Sequence, residues 1–253
     1  MQGSHFENIL GYPITTLSKE ECLQEIFLWL KSEERRRYFV CANPHSLEMA
    51  KKDEVFSQAI KEADLVIPDG VGIVVASKIF GGHIRGRVTG IDIFLQLCEV
   101  LNGRKNFNCF FLGSTYETLA KISERMNVDF PNITVAGAYS PTFKPEFSPD
   151  DERIMVAAVN QVKPDVLWVG MTAPKQEKWV YKNKDNLNVK VIGPIGAAFD
   201  FYAGDVKRSP QWFLDHGLEW LPRLVQEPKR LWKRTLVSAP LFLMRVLAEK
   251  LRK

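Results

Sequence analysis

The sequence contains no Gly-x-Gly-x-x-Gly fingerprint, no Walker-type phosphate loop and no Asp-x-Asp. The first two absences leave a dinucleotide or ATP site of those kinds unsupported. Histidine is scarce, and His5, His45, His83 and His216 stand apart without metal-ligand spacing. Asp150 and Asp151 are adjacent, at a predicted helix start where acids suit the helix dipole. A catalytic metal is therefore not expected, and an enzyme handling a diphosphate here would need other cations. Cysteine is also scarce: Cys22, Cys41, Cys98 and Cys109 are far apart, with no Cys-x-x-Cys. That argues against a disulfide framework or zinc site and for buried free thiols in a reducing compartment. No run reaches the ~18–20 apolar residues that cross a bilayer. No N-terminal apolar stretch resembles a signal peptide, and repeats and low-complexity segments are lacking.

What is present is an ordinary globular composition: 253 residues, 45% hydrophobic and 25% charged. That suits one large α/β domain, or a domain plus an appendage. The net charge of +4 is unevenly spread. Residues 221–253 hold nine Lys/Arg and two acids, a net +7, which leaves −3 for the rest. A polyanionic partner for that segment is expected.

Short apolar runs alternate with helical ones. Strands are predicted at 38–42, 64–67, 107–113, 132–140, 165–170 and 189–193. Helices are predicted at 19–33, 45–62, 71–80, 90–102, after a Ser114 cap, and at 149–161 and 174–185. Residues 81–87 read as a mobile loop. This alternation implies βαβ units and a largely parallel sheet covered on both faces. After about residue 200 no strand is convincing, Pro210, Pro222 and Pro228 punctuate helical stretches, and Trp212, Trp220 and Trp232 crowd together. Residues 235–248 are mainly apolar and flanked by Lys and Arg, as in a helix lying among lipid headgroups.

Ligands of an open parallel sheet bind at the carboxyl ends of its strands. Reading those ends gives Asn43, Asp69, Gly113-Ser114, Gly170-Met171-Thr172 and Gly193. Asn43 opens a turn, a role its side chain fills without any ligand. Gly113-Ser114 could hold a phosphate on free amides, though strand–Gly–helix junctions are common. Pro68-Asp69-Gly70 is a routine turn tripeptide, and its position at a strand end makes a functional Asp69 an equal alternative. Lys175, Gln176 and Lys178 crowd a predicted helix start, where cations oppose the dipole. An anionic ligand or a solvated face explains them equally.

Together, "ANPHSLEMA", "ADLVIPDGVGIV", "GRVTGIDIF", "FLGS", "VGMTAPKQEKW", "GAAFDFYAG" and "GLEWLPRLVQEPKRLWKR" resemble the WecG/TagA/CpsF glycosyltransferases (glycosyltransferase family 26), over about residues 8–235. The resemblance implies a Rossmann-like core (1–199) and a helical, basic appendage (200–253) that associates with membrane and completes the active site. It implies an inverting, metal-independent, cofactor-free enzyme at the cytoplasmic face of the bacterial membrane. The donor would be a UDP-sugar (N-acetylmannosamine, its uronic acid or glucose), and the acceptor an undecaprenyl-diphosphate-linked sugar. The membrane partner would be an anionic surface, no nucleic acid is expected, and the oligomeric state stays open, a homo-oligomer included. By the same resemblance Asp69 is the general base and Asn43 helps place the acceptor. Arg87 and Gln176 would line the donor site, with Asp200 near the nucleotide. Arg223, Arg230 and Lys233 or Arg234 would close over the diphosphate. Cys41 departs from relatives that carry a hydroxyl residue there, which puts a polar contact from that position in question.

Two other classes compete. A Rossmann-type oxidoreductase would want a glycine-rich fingerprint with an acid about 20 residues on, and neither is apparent. A non-catalytic module could use the basic tail on lipid or nucleic acid; salt-dependent DNA binding without UDP binding would favour it.

Overall fold

Alternation along the strands sorts the core into two halves, one on each face of a sheet. The computed structural model describes residues 5–104, 106–210, 212–213 and 218–252; His216, Lys253 and the Arg230 side chain lie outside them. The sheet is formed by β3 (Arg37–Ala42), β4 (Leu65–Pro68), β5 (Phe107–Gly113), β6 (Ile133–Tyr139), β7 (Val166–Gly170) and β8 (Val191–Pro194). All its pairings are parallel, in the order β4-β3-β8-β7-β5-β6. Tyr38, Val40 and Ala42 of β3, with Leu167 and Val169 of β7, face one half of the core. Phe39 of β3 and Val166 and Trp168 of β7 face the other. Both faces are apolar because helices cover both.

The first half is closed by α2 (Pro44–Ala50), α3 (Glu54–Lys61), α4 (Val71–Phe80), α7 (Pro149–Val162) and α8 (Lys175–Asn183). The second is closed by α1 (Lys19–Lys31), α5 (Gly90–Asn102), α6 (Tyr116–Asp129) and α9 (Ala198–Ala203). Trp168 is the keystone of the second half, meeting Phe39 at 6.5 Å and Phe94 at 5.1 Å edge to face. Each such pair adds about 0.5–1.5 kcal/mol beyond area burial. Gly193 on β8 makes room for that ring: a Cβ there would stand 2.6 Å from it.

The α/β architecture agrees with the sequence expectation, and four local features do not. The helix expected over 45–62 is two helices, because Asp53 caps α3 by accepting the Phe56 amide at 3.1 Å and the chain turns at 51–53. Thr115, not Ser114, caps α6, accepting the Thr118 amide at 3.2 Å; Ser114 sits at φ +57°. An unexpected hairpin, β1 (Phe6–Ile9) with β2 (Tyr12–Thr15), buries Ile9, Tyr12 and Ile14. Its turn passes through Leu10 and Gly11, both at positive φ.

The fourth concerns the tail. It runs through α10 (Trp220–Gln226), α11 (Pro228–Trp232), a π-helical turn (Lys233–Ser238) and α12 (Ala239–Arg252). The apolar stretch expected to lie on lipid has one face packed on protein, with Phe242 and Val246 fully buried against α2 and α4. Arg245 reaches the buried Glu48 carboxylate of α2 at 3.4 Å. Among the described residues no helix is long and apolar enough to cross a membrane.

Candidate active site

Register brings Asn43 and Asp69 together. Ala42 and Pro68 are partners on β3 and β4, so the residues after them leave adjacent strands side by side. The Asp69 amide donates to the Ala42 carbonyl at 2.8 Å, and the Val88 amide to the Pro68 carbonyl at 2.8 Å. Gly70, at φ +123°, turns the chain into α4 beside Asn43. The turn role of Asn43 is real: its Oδ1 accepts the Ser46 amide at 3.1 Å and caps α2.

Asp69 is half-buried where β4 gives way to α4. Among the described residues, none donates a hydrogen bond to its carboxylate. Burial raises its pKa; Arg234 opposes that most, Glu219 adds to it, and Arg223 and Arg87 also pull down. The net direction is upward. The carboxylate is thus a stronger base than an exposed aspartate, with three guanidinium groups in electrostatic reach.

Those cations come from two places. Arg87, on the loop between α4 and α5, pairs with Glu219 at 2.5 Å. Arg223 of α10 lies over the Phe201 ring at 4.9 Å, and its Nε is buried without a hydrogen-bond partner among the described residues. Burial and then Arg234 lower its pKa. Arg234 lies in the π-helical turn, which His45 of α2 pins through a 2.8 Å hydrogen bond between Nδ1 and Ser238 Oγ. Lys233 is exposed and lies over the Trp232 ring at 5.6 Å. Of the two residues expected to share this role, Arg234 is the one whose charge lowers the Asp69 pKa most.

A cavity of about 1130 Å³ opens at the carboxyl ends of β5 to β8. The strand order reverses there: β5 leads outward to β6 and β7 leads inward to β8, the switch point where open α/β sheets bind ligands. Ser114, Tyr139, Met171, Lys175 and Asp200 line it. Gln176 lies just behind its wall, 5% exposed, with Oε1 accepting the Met171 amide at 3.3 Å. The lysines noted at this helix start have partners. Lys178 pairs with Asp53 at 2.7 Å, while Lys175 bonds the Lys144 carbonyl and lies over the Phe143 and Phe147 rings.

Cys41 and Cys109 are free, as are Cys22 and Cys98. Burial, then the Asp69 charge, pushes the Cys41 thiol up, so it is a neutral group near Asp69. Among the described residues no three His, Cys, Asp or Glu side chains gather as metal ligands. Sequence reasoning missed Glu219, Phe201, Ser238 and Glu177. Glu177, Glu219 and Phe201 lay inside the quoted "APKQEKW", "GLEWLPRLVQEPKRLWKR" and "GAAFDFYAG" blocks, and Ser238 lay outside them all.

The description "Glycosyl transferase WecG/TagA/CpsF family" matches residues 7–253. A relative from Bacillus spizizenii is 32% identical over 210 residues, 83% of this chain and 78% of its own. One from Bacillus subtilis is 30% identical over 211 residues, 83% and 79%. One from Staphylococcus aureus is 25% identical over 246 residues, 96% and 92%. All three are named N-acetylglucosaminyldiphosphoundecaprenol N-acetyl-beta-D-mannosaminyltransferase. The chain belongs to the WecG/TagA/CpsF family of glycosyltransferases.

Proposed function

We propose that this family member moves N-acetylmannosamine from a UDP-linked donor to an N-acetylglucosamine carried on undecaprenyl diphosphate, with inversion and without a metal. The names of the relatives favour that sugar over its uronic acid or glucose. The observation that carries the reading is the Asp69 carboxylate: no hydrogen-bond donor among the described residues, a raised pKa and three arginines around it. Asp69 takes the proton of the acceptor hydroxyl as that oxygen attacks the anomeric carbon. Such a base is worth roughly 100- to 10,000-fold. One displacement inverts the centre, so no enzyme nucleophile is needed.

The leaving UDP gains negative charge as the glycosidic bond breaks. Guanidinium groups fixed in advance stabilise that charge without reorganising, and Arg87, Arg223 and Arg234 supply them. Asn43 keeps its Nδ2 available for the acceptor while Oδ1 caps α2. The nucleotide occupies the large cavity beside Asp200. β8, which helps form that cavity, stands two strands from β4, on the order of 10 Å, a span suited to a sugar diphosphate.

The tail then has two tasks. It brings Arg223 and Arg234 over Asp69, and it meets the membrane through Leu241, Met244, Leu247 and Leu251, which stay exposed on α12 beside Lys250 and Arg252. Each cation near an anionic leaflet adds about 1 kcal/mol before screening. The reading puts the enzyme at the cytoplasmic face as a peripheral protein. A donor screen with a short-chain lipid-diphosphate N-acetylglucosamine, read by mass spectrometry, tests it. A product formed only from NAD-linked chemistry, or none from any UDP-sugar, would reject it.

A further inference from the structure

Gln176 and Glu177 open α8 directly behind the loops that wall the large cavity, and neither side chain reaches solvent: they are 5% and 3% exposed. The Gln176 amide is oriented from both ends. Its Oε1 accepts the Met171 amide at 3.3 Å, and its Nε2 donates to Glu177 Oε1 at 2.8 Å. The reverse orientation would set Nε2 against the Met171 N–H, donor on donor. The amide also packs against Gly196, where an added Cβ would lie 3.4 Å from Oε1 and 3.5 Å from Nε2. Met171 and Gly196 belong to different loops, the first after β7 and the second after β8, and both line the cavity.

An acid in the first turn of a helix is commonly there for the dipole. That explanation does not require burial, and Glu177 is buried with Oε2 lacking a hydrogen-bond partner among the described residues. Burying a carboxyl group is costly unless its hydrogen bonds are worth having. The bond it makes is the one to Gln176. Burial holds its pKa up at about 7, which keeps a large neutral fraction near physiological pH.

We propose that Glu177 is a positioning residue for donor binding: its carboxyl group fixes the Gln176 amide, which joins the β7–α8 and β8–α9 loops into one cavity wall. The inference rests on the reading that the nucleotide donor occupies this cavity. The group acts through Gln176 and touches no reacting atom.

Two substitutions of similar volume separate this from a packing role. Glu177→Gln keeps a carbonyl acceptor for Gln176, whereas Glu177→Met removes it. In Glu177→Met, UDP affinity measured by calorimetry and the KM for the UDP-sugar weaken about tenfold, the equivalent of one lost buried hydrogen bond. Its kcat at saturating donor stays within about twofold, since ground-state and transition-state binding fall together. Glu177→Gln restores both values. Met171 amide exchange, which needs no ligand, rises in Glu177→Met and not in Glu177→Gln. Unchanged UDP affinity in folded Glu177→Met, or a Glu177→Gln as impaired as Glu177→Met, overturns the proposal. A wild-type protein that binds no UDP rejects the donor reading instead, and Met171 exchange then decides alone: no change overturns the link. Should Glu177→Met fail to fold, Gln176→Leu cuts the same link from its other end, and normal UDP affinity there overturns the proposal as well.

Discussion

Arg87 and Glu219, 132 residues apart in sequence, meet at 2.5 Å with both side chains mostly shielded from water. The pair ties the loop before α5 to the start of the tail, and its acid member also acts on Asp69. Glu219 raises the Asp69 pKa, and Asp69 must be ionised to accept a proton. Activity therefore rises as pH climbs through that pKa. Glu219→Gln removes a neighbouring negative charge, so the acid limb of the kcat/KM profile moves to lower pH. An unmoved limb would mean that Asp69 does not set it.

Arg234 acts in the opposite sense. It is the strongest charge lowering the Asp69 pKa, so Arg234→Gln moves the acid limb to higher pH. On the proposed reading it also removes a donor to the leaving diphosphate, an expected loss of about 100- to 1000-fold in kcat. Lys233→Gln, one residue away but exposed, leaves both the limb and kcat on a short-chain acceptor near wild type. Equal losses in the two variants would indicate a general charge effect of the tail.

Asp69→Asn tests the base itself. The substitution keeps the shape of the turn and its backbone bond to Ala42, and it removes proton acceptance. Turnover is expected to drop by roughly 100-fold or more while UDP binding persists. Near-normal turnover of pure variant would return Asp69 to a turn residue.

Much of this site was legible because strands buried on both faces print themselves as unbroken apolar runs. Strand ends then follow, and Asn43 and Asp69 with them. Topology alone ranked Asp69 level with a turn residue; its lack of a hydrogen-bond donor and its arginine neighbours give it chemistry. What was not legible depends on distance or direction. Nothing near Arg87 in sequence announces Glu219. The side chain of Gln176 reads as solvent-facing or ligand-facing, yet it turns inward because Met171 and Glu177 satisfy it at both ends. Residues 51–53 look helical until Asp53 is seen to cap α3. In α12 Phe242, Met244, Val246 and Leu247 are alike in composition, and only packing separates the buried pair from the exposed one.

Glu177 makes stability depend on pH. Its folded pKa of about 7 lies above the ordinary carboxylate value of 4.5. Stability from this group is therefore full below about 4.5 and declines as pH rises towards 7, because the native state must give up a proton it holds more tightly. In Glu177→Gln that decline disappears, so the melting temperatures of the two proteins diverge between pH 4.5 and 7 and run parallel above. Parallel curves throughout would show that the Glu177 pKa is not raised in the fold.

The two faces of α12 let folding be tested apart from the proposed membrane attachment. Met244, Leu247 and Leu251 follow i, i+3, i+7 spacing and stay 67%, 50% and 87% exposed. Phe242 and Val246 lie on the opposite face, fully buried. Changing the three exposed residues to Ser removes apolar area from the stripe proposed to face lipid, without opening the core. The melting temperature stays near wild type, and sedimentation with anionic liposomes falls. Phe242→Ala acts the other way, since losing a buried phenyl ring costs about 3–5 kcal/mol. It loosens α12 from α2 and α4, and with it the π-helical turn that carries Arg234, whose charge acts on Asp69, so kcat is expected to fall even on a water-soluble acceptor. Liposome binding that survives the triple Ser change would assign the attachment to the tail's cations alone, and high salt would then release the protein.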